Sequence, residues 1–169
     1  TVLEASPTSL ILVDQAGQVV MVNAETERLF GYPRAELLNQ RVEMLLPSKD
    51  RTNHPEHRKT FFADPVARRM GLGRDLTGLH KDGHEIPIEI GISPVEIDEG
   101  TFVLSAVVDL TERKRAQVKS EQRLRTVLEA SPTSLILVDQ AGQIVMVNAE
   151  TERLFGYPRA ELLNQRVEM

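Results

Sequence analysis

The chain has 169 residues, 41% of them hydrophobic and 27% charged, and a formal net charge of −5. That suits one packed domain or slightly more, and its acidity argues against a general nucleic-acid or membrane-binding surface. It has no cysteine, which excludes disulfides, thiolate zinc sites, iron–sulfur clusters and thiol chemistry together. The longest apolar stretches, such as 102–108, fall far short of a membrane span, no signal peptide is visible, and a cytoplasmic location is expected.

Leu10 to Asp14 reads as a short buried strand, and Gly17 as the turn into a second strand, Gln18 to Val22. Asn23 is a good N-cap, with Glu25 in the first turn of a helix that runs to Phe30 and ends at Gly31. Pro33 opens a short helix through Leu38, and Val42 to Leu46 is an apolar turn stopped by Pro47. Residues 54–63 read as a helix with Pro55 at its first position and Asp64-Pro65 as its stop. Around Gly71 and Gly73 the chain turns into a strand over 74–80, and Asp82-Gly83 signals a hairpin. Ile86, Ile88, Ile90 and Ile92 then alternate with Glu85, Pro87, Glu89 and Gly91, the period of a half-buried antiparallel strand. Pro87 on the polar side suggests an edge or a bulge. Glu99-Gly100 turns the chain into a last strand, Thr101 to Asp109. This order predicts an α+β fold, one antiparallel sheet with short helices on one face.

Residues 112–125 hold no Gly or Pro, with six basic and two acidic side chains, and read as a helix that Thr111 can N-cap. Leu110, Gln117 and Leu124 form only a weak heptad seam, so the segment is either a solvated connector or a pairing helix. Its basic charge lacks interleaved aromatics and does not point to nucleic acid.

Residues 126–169 repeat residues 1–44 with 43 of 44 positions identical, the one change being Val19 to Ile144. A period of 125 is a whole domain plus linker, not a solenoid repeat. The expected organisation is a domain over 1–111, a connector helix over 112–131, and over 132–169 the truncated N-terminal part of a second, nearly identical copy. Strands in that part have no partners of their own. The expectation is that it swaps into a neighbouring chain or pairs with its twin, the alternative being a chain cut within a domain.

The segments "ILVDQAGQVVMVNAETERLFGYPRAELL", "GRDLTGLHKDGHEIPIEIGIS" and "VVDLTERK" resemble PAS domains, the sensory box modules, across 1–111. The resemblance implies a PAS fold: a five-stranded antiparallel sheet with short helices on one face, a small pocket beneath them, and a connector helix. It also implies a bacterial signalling module, part of a tandem array, that works as a homodimer. A covalently linked effector domain, a histidine kinase or a cyclic-nucleotide enzyme, is expected outside this chain. Asp109 and Thr111 match the family's terminal Asp-x-Thr motif, where the last strand hands the signal to the output helix.

The histidines are His54, His57, His80 and His84. His54 and His57 sit three apart on a helix and His80 and His84 flank a turn, a spacing not distinctive of zinc. No phosphate loop, nucleophile elbow or kinase signature is present, so no enzyme activity is expected of this chain. Flavin-adduct and thioester chromophore sensors need a cysteine, and there is no Trp to stack on a flavin.

Haem needs one neutral imidazole and an apolar pocket. Segment 54–92 resembles the haem-PAS oxygen sensors of the FixL and DOS types, in which a histidine opens the long helix and an arginine follows twenty residues later. His54 and Arg74 fall on those positions. "HPE" at 54–56 resembles the DOS type and "GLGR" at 71–74 the FixL type. The resemblance implies haem iron on His54 and a hydrogen bond from Arg74 to bound oxygen. Leu72 stands where the DOS type has a ligating methionine, and Ile90 and Ile92 match apolar distal residues. Arg69 departs from the pattern, standing where the FixL type is apolar. The residues alone leave another reading open: His54 as a helix-start residue bonding to backbone groups, Arg74 in a salt bridge with a carboxylate such as Glu89, and a cofactor-free pocket or an unknown small molecule.

Overall fold

The first hairpin is formed by β1 (Ser9–Val13) and β2 (Val19–Val22), paired antiparallel with Ile11 opposite Val22. The Asn23 side chain accepts from Thr26 N and so caps α1 (Ala24–Phe30), which ends at Gly31 with φ +75°. Asn23 also ties the entry segment down: its Oδ1 accepts Leu10 N at 2.9 Å, and its Nδ2 donates to the carbonyl of Thr8 at 2.9 Å. Then come α2 (Arg34–Leu37), a 3-10 turn (Val42–Leu45), α3 (Ser48–Arg51) and α4 (His54–Ala63), with Pro55 in its first turn. Four strands follow: β3 (Arg68–Met70), β4 (Leu76–Leu79), β5 (Glu85–Ile97) and β6 (Gly100–Asp109). The computed structural model describes residues 3–70 and 75–167, which divide into a unit over 1–112 and a second over 113–169.

The sheet order is β2-β1-β6-β5-β3, and β4 also pairs with β5. β3 lies opposite Ile90–Ile92 and β4 opposite Glu85–Ile88. The two short strands thus share one edge of β5, and the expected five strand positions are filled. Helices cover one face. Phe30, Leu37 and Leu45 pack with Ile11, Val13, Ile86, Ile88 and Val107, and Phe61 of α4 packs with Ile92 and Val103. Burying such side chains stabilises the unit by about 1.5–3 kcal/mol each.

Two glycines make room in this core. A Cβ on Gly78 would come within 2.8 Å of the Phe30 ring. A Cβ on Gly31 would collide with His80 Nε2, so the hairpin between β4 and β5 rests directly on the end of α1. Gly31→Ala is expected to lower stability by roughly 1–2 kcal/mol from the left-handed backbone alone, and further by displacing His80. Urea unfolding measures this, and a neutral substitution would place the His80 ring elsewhere.

Four expectations need correction. The stretch before Gly71 contains β3, which has no alternation to betray it because it is only three residues long. The strand expected over 74–80 is Leu76–Leu79, and residues 71–74 lie outside those described. β5 is an interior strand, so the edge expected at Pro87 is only local: Thr77 of β4 lies opposite it on one flank, while on the other its carbonyl accepts Leu110 N at 2.8 Å, beyond the last β5–β6 pair, Ile88 with Asp109. A residue's N–H and C=O point to the same side of a strand, so the missing proline N–H falls where the ladder has ended. The output helix α5 (Thr111–Glu129) begins at Thr111, whose N–H is taken by the Asp109 carboxylate at 2.7 Å.

The second unit repeats the local elements of the first: β7 (Ile136–Val138), β8 (Ile144–Val147), α6 (Ala149–Phe155) and α7 (Arg159–Leu162). Its apolar residues meet a different fate. Ile11 is 3% exposed and Phe30 2%, whereas their counterparts Ile136 and Phe155 are 42% and 53% exposed.

Candidate functional site

The apolar turn Val42–Leu45 carries one carboxylate, Glu43, which its neighbours drag below the surface. Two turns of α4 meet it. His54 and Arg58 are four residues apart and share a helix face. His54 Nδ1 lies 2.9 Å from Glu43 Oε1, and the Arg58 guanidinium is paired with the same oxygen. A second Arg58 nitrogen donates to the Ala16 carbonyl at 3.1 Å, and the guanidinium fills the space a Cβ on Gly17 would need. This cluster joins the first hairpin, the 3-10 turn and α4.

Burial would push the Glu43 carboxyl up, but the His54 hydrogen bond, its own backbone and the Arg58 charge outweigh burial and hold it below the ordinary value. An ionised carboxylate only accepts, so His54 Nδ1 is the donor in this bond. The second Glu43 oxygen is buried and takes no hydrogen bond among the described residues. His54 therefore pairs with a side chain, not with the backbone groups of a helix start.

Phe61, two turns after His54, lies on the same face of α4 and packs with Ile92 and Val103, with Ile90 and Met70 against them. A cavity of about 290 Å³ opens beside this cluster, lined by His57, Thr60, Arg68, Arg69 and Met70. That is the low end of ligand pockets, which run from about 300 to 1,000 Å³, and it borders His57, not His54. Arg69, the departure noted in the sequence, pairs with Glu89 at 3.4 Å and is largely exposed. It lies opposite Gly91, whose alternation sets it on the sheet face away from Ile90 and Ile92. The cation on the helix-covered side is Arg68, with its guanidinium 5.4 Å from the Phe61 ring. Arg74 and Leu72 lie outside the described residues.

Sequence reasoning missed Glu43 and Arg58. The one signal was an acid inside the apolar run "VEMLL". Of what haem would need, His54 offers one imidazole held by a carboxylate, and the isoleucine and phenylalanine cluster lies two turns further along α4, around Phe61. Metal-bound histidines are characteristically oriented in this way, the other ring nitrogen donating to a carboxylate.

Residues 7–112 match the family model described as PAS domain, and residues 122–169 one described as PAS fold. The chain belongs to the PAS domain family. It is 26% identical to sensor protein FixL of Bradyrhizobium diazoefficiens, over 79% of this chain and 26% of that protein. It is 28% identical to oxygen sensor protein DosP of Escherichia coli, over 92% of this chain and 19% of that one. The chain thus spans about a quarter or less of these relatives. Among solved structures, the PAS domain of an HTR-like protein from Haloarcula marismortui is similar in fold, with a TM-score of 0.56 and 18% identity, over 64% of this chain and 85% of that one. A PAS domain from Desulfitobacterium hafniense gives 0.55 and 16%, over 64% and 97%. No helix among the described residues is long and apolar enough to cross a membrane.

Proposed function

We propose that the unit over 7–112 is a sensory relay whose ligand sits between α4 and the sheet, and that this ligand is haem held through His54. The observation that supports the reading is the His54–Glu43 pair, the carboxylate-to-imidazole contact by which metal-bound histidines are oriented, with Nε2 the nitrogen that would meet the iron. Bound haem would supply a gas-binding or redox iron. This chain's residues supply the rest. Glu43 orients the imidazole. Ile90, Ile92 and Phe61 provide apolar wall, and Arg74 the hydrogen-bond donor. Asp109 ties the first turn of α5 to β6, so a shift of the last strand reaches the output helix. The effector is proposed to be a covalently linked domain beyond the segment described here, a histidine kinase or a cyclic-nucleotide enzyme.

The test is to add hemin to the purified chain and record absorption spectra oxidised, reduced, and reduced with carbon monoxide. The expected result is a sharp Soret band that shifts with carbon monoxide and is lost in His54→Ala. A broad free-hemin spectrum, unchanged in the variant, overturns the haem reading.

A cofactor-free dimerisation module is the second reading, favoured by the outer sheet face. Val95 and Phe102 are paired there, and Ile97 and Val108 are exposed. Ile136, Val138 and Phe155 of the second unit add a face whose counterparts pack on β4, β5 and β6. That arrangement fits a homodimer with an exchanged element. Light scattering that reports a monomer, with 132–167 open to protease, excludes the exchange.

A further inference from the structure

The hairpin between β4 and β5 carries a second cluster, independent of the haem reading. We propose that His80, Asp82 and His84 form a site for a divalent transition-metal cation of the zinc class. His80 Nδ1 lies 3.0 Å and His84 Nδ1 2.5 Å from the same oxygen, Asp82 Oδ1. The three ligand atoms all lie within 4.8 Å of one another. The two imidazole rings are stacked, with centroids 4.5 Å apart and planes at 26°; Asp82 N also donates to His80 Nδ1 at 3.2 Å, a bond that a cation on that nitrogen would replace.

The backbone prepares this convergence. Gly83 adopts φ +95°, its N–H donates to the His80 carbonyl at 2.9 Å, and His80 N donates to the His84 carbonyl at 2.9 Å. His80 is held by its contact with Gly31. The intervening cation is turned away: Lys81 Nζ pairs with Glu36 at 2.6 Å and lies over the Tyr32 ring. A cation bound at metal–ligand distances of about 2.0–2.1 Å spreads its ligands to roughly 3.3 Å apart. From their present 3.0 and 2.5 Å, the His80 and His84 contacts with Asp82 reach that by opening roughly 0.3 and 0.8 Å, within the freedom of the exposed His84 and Asp82 side chains.

Ligand type selects the metal. Two imidazoles and one carboxylate suit Zn²⁺, Ni²⁺ or Cu²⁺, whereas Ca²⁺ and Mg²⁺ take oxygen ligands. Three protein ligands leave further positions to water, as in an open site and not a closed structural one. Lys81 N also donates to the Phe30 carbonyl at 2.9 Å, so a clamped hairpin acts on the C-terminal end of α1.

The test is calorimetric titration of the full chain with Zn²⁺, repeated with Co²⁺ to read ligand-field absorption. The expected result is one tight site per chain, weakened at least ~10-fold by His84→Ala. Asp82→Asn should weaken it similarly, and His54→Ala and His57→Ala should leave it unchanged. His84 is largely exposed, so its replacement spares the fold, which circular dichroism checks. Absence of Zn²⁺ binding, or equal affinity in His84→Ala, overturns the proposal; the cluster is then a set of hydrogen bonds that shapes the hairpin. Loss in His54→Ala but not in His84→Ala also overturns it.

Discussion

Phe30→Ala lowers the stability of the first unit by about 3–5 kcal/mol, while Phe155→Ala changes the same transition by less than about 0.5 kcal/mol. The two residues occupy identical local sequences, each at the last position of a seven-residue helix capped by an asparagine and ended by a glycine. Phe30 is 2% exposed and fits against Gly78 on β4, so its removal leaves a cavity that the rigid sheet cannot close. Phe155 is 53% exposed, and truncating it mostly exchanges ring hydration for methyl hydration. Urea unfolding followed by circular dichroism compares them directly. A loss at 155 as large as that at 30 would mean the second unit's apolar face is covered in solution, and would favour the exchanged dimer.

Breaking the Glu43 cluster has the second large effect. Glu43→Ala leaves the Arg58 guanidinium with only the Ala16 carbonyl, and Arg58→Ala leaves the carboxylate with only His54; each is expected to cost up to about 3 kcal/mol, because a largely buried charge that loses its opposite charge keeps its desolvation penalty. The double variant should cost less than the sum. Strict additivity would show that the pair is not coupled. The stabilisation also depends on acid. Glu43 has a depressed pKa in the folded state, so its contribution is present above the ordinary carboxylate value of about 4.3 and is lost as pH falls through the lower folded value. The stability gap between the parent and Glu43→Gln should therefore narrow as pH is taken down from neutral through that range. A gap independent of pH would assign the effect to packing instead.

Much of this could be read along the chain. The Ile86 to Ile92 alternation marked the helix-covered face of β5, where Ile86, Ile88 and Ile92 are buried. Asn23 and Gly31 bracketed α1 as expected, and Pro55 placed the start of α4. The candidate site was only half legible. His54 drew notice through its place at a helix start, but nothing local indicates that Glu43, eleven residues earlier, bends back to meet it. Asp82 was read as a turn former, and its role between two imidazoles appears only once the hairpin closes and stacks them.

The repeat separates the two kinds of information within one chain. Asn23 and Asn148 make the same bonds, each accepting the leucine N–H thirteen residues earlier at 2.9 Å. Asn39 and Asn164 both adopt φ 63°, and Arg34 and Arg159 each reach a glutamate thirty residues earlier at 2.6 Å. Caps, turns and these ties close within about thirty residues, so the local sequence determined them in both copies. Burial was decided by the tertiary structure. Val13 is 4% exposed and Val138 45%, although the same residues flank them, because Val13 is paired with Val103 on β6 while Val138, among the described residues, has only the strand of its own hairpin. A hydrogen-bonded cap needs only its neighbours, whereas removing an apolar face from water needs a second surface, which folding brings from far along the chain.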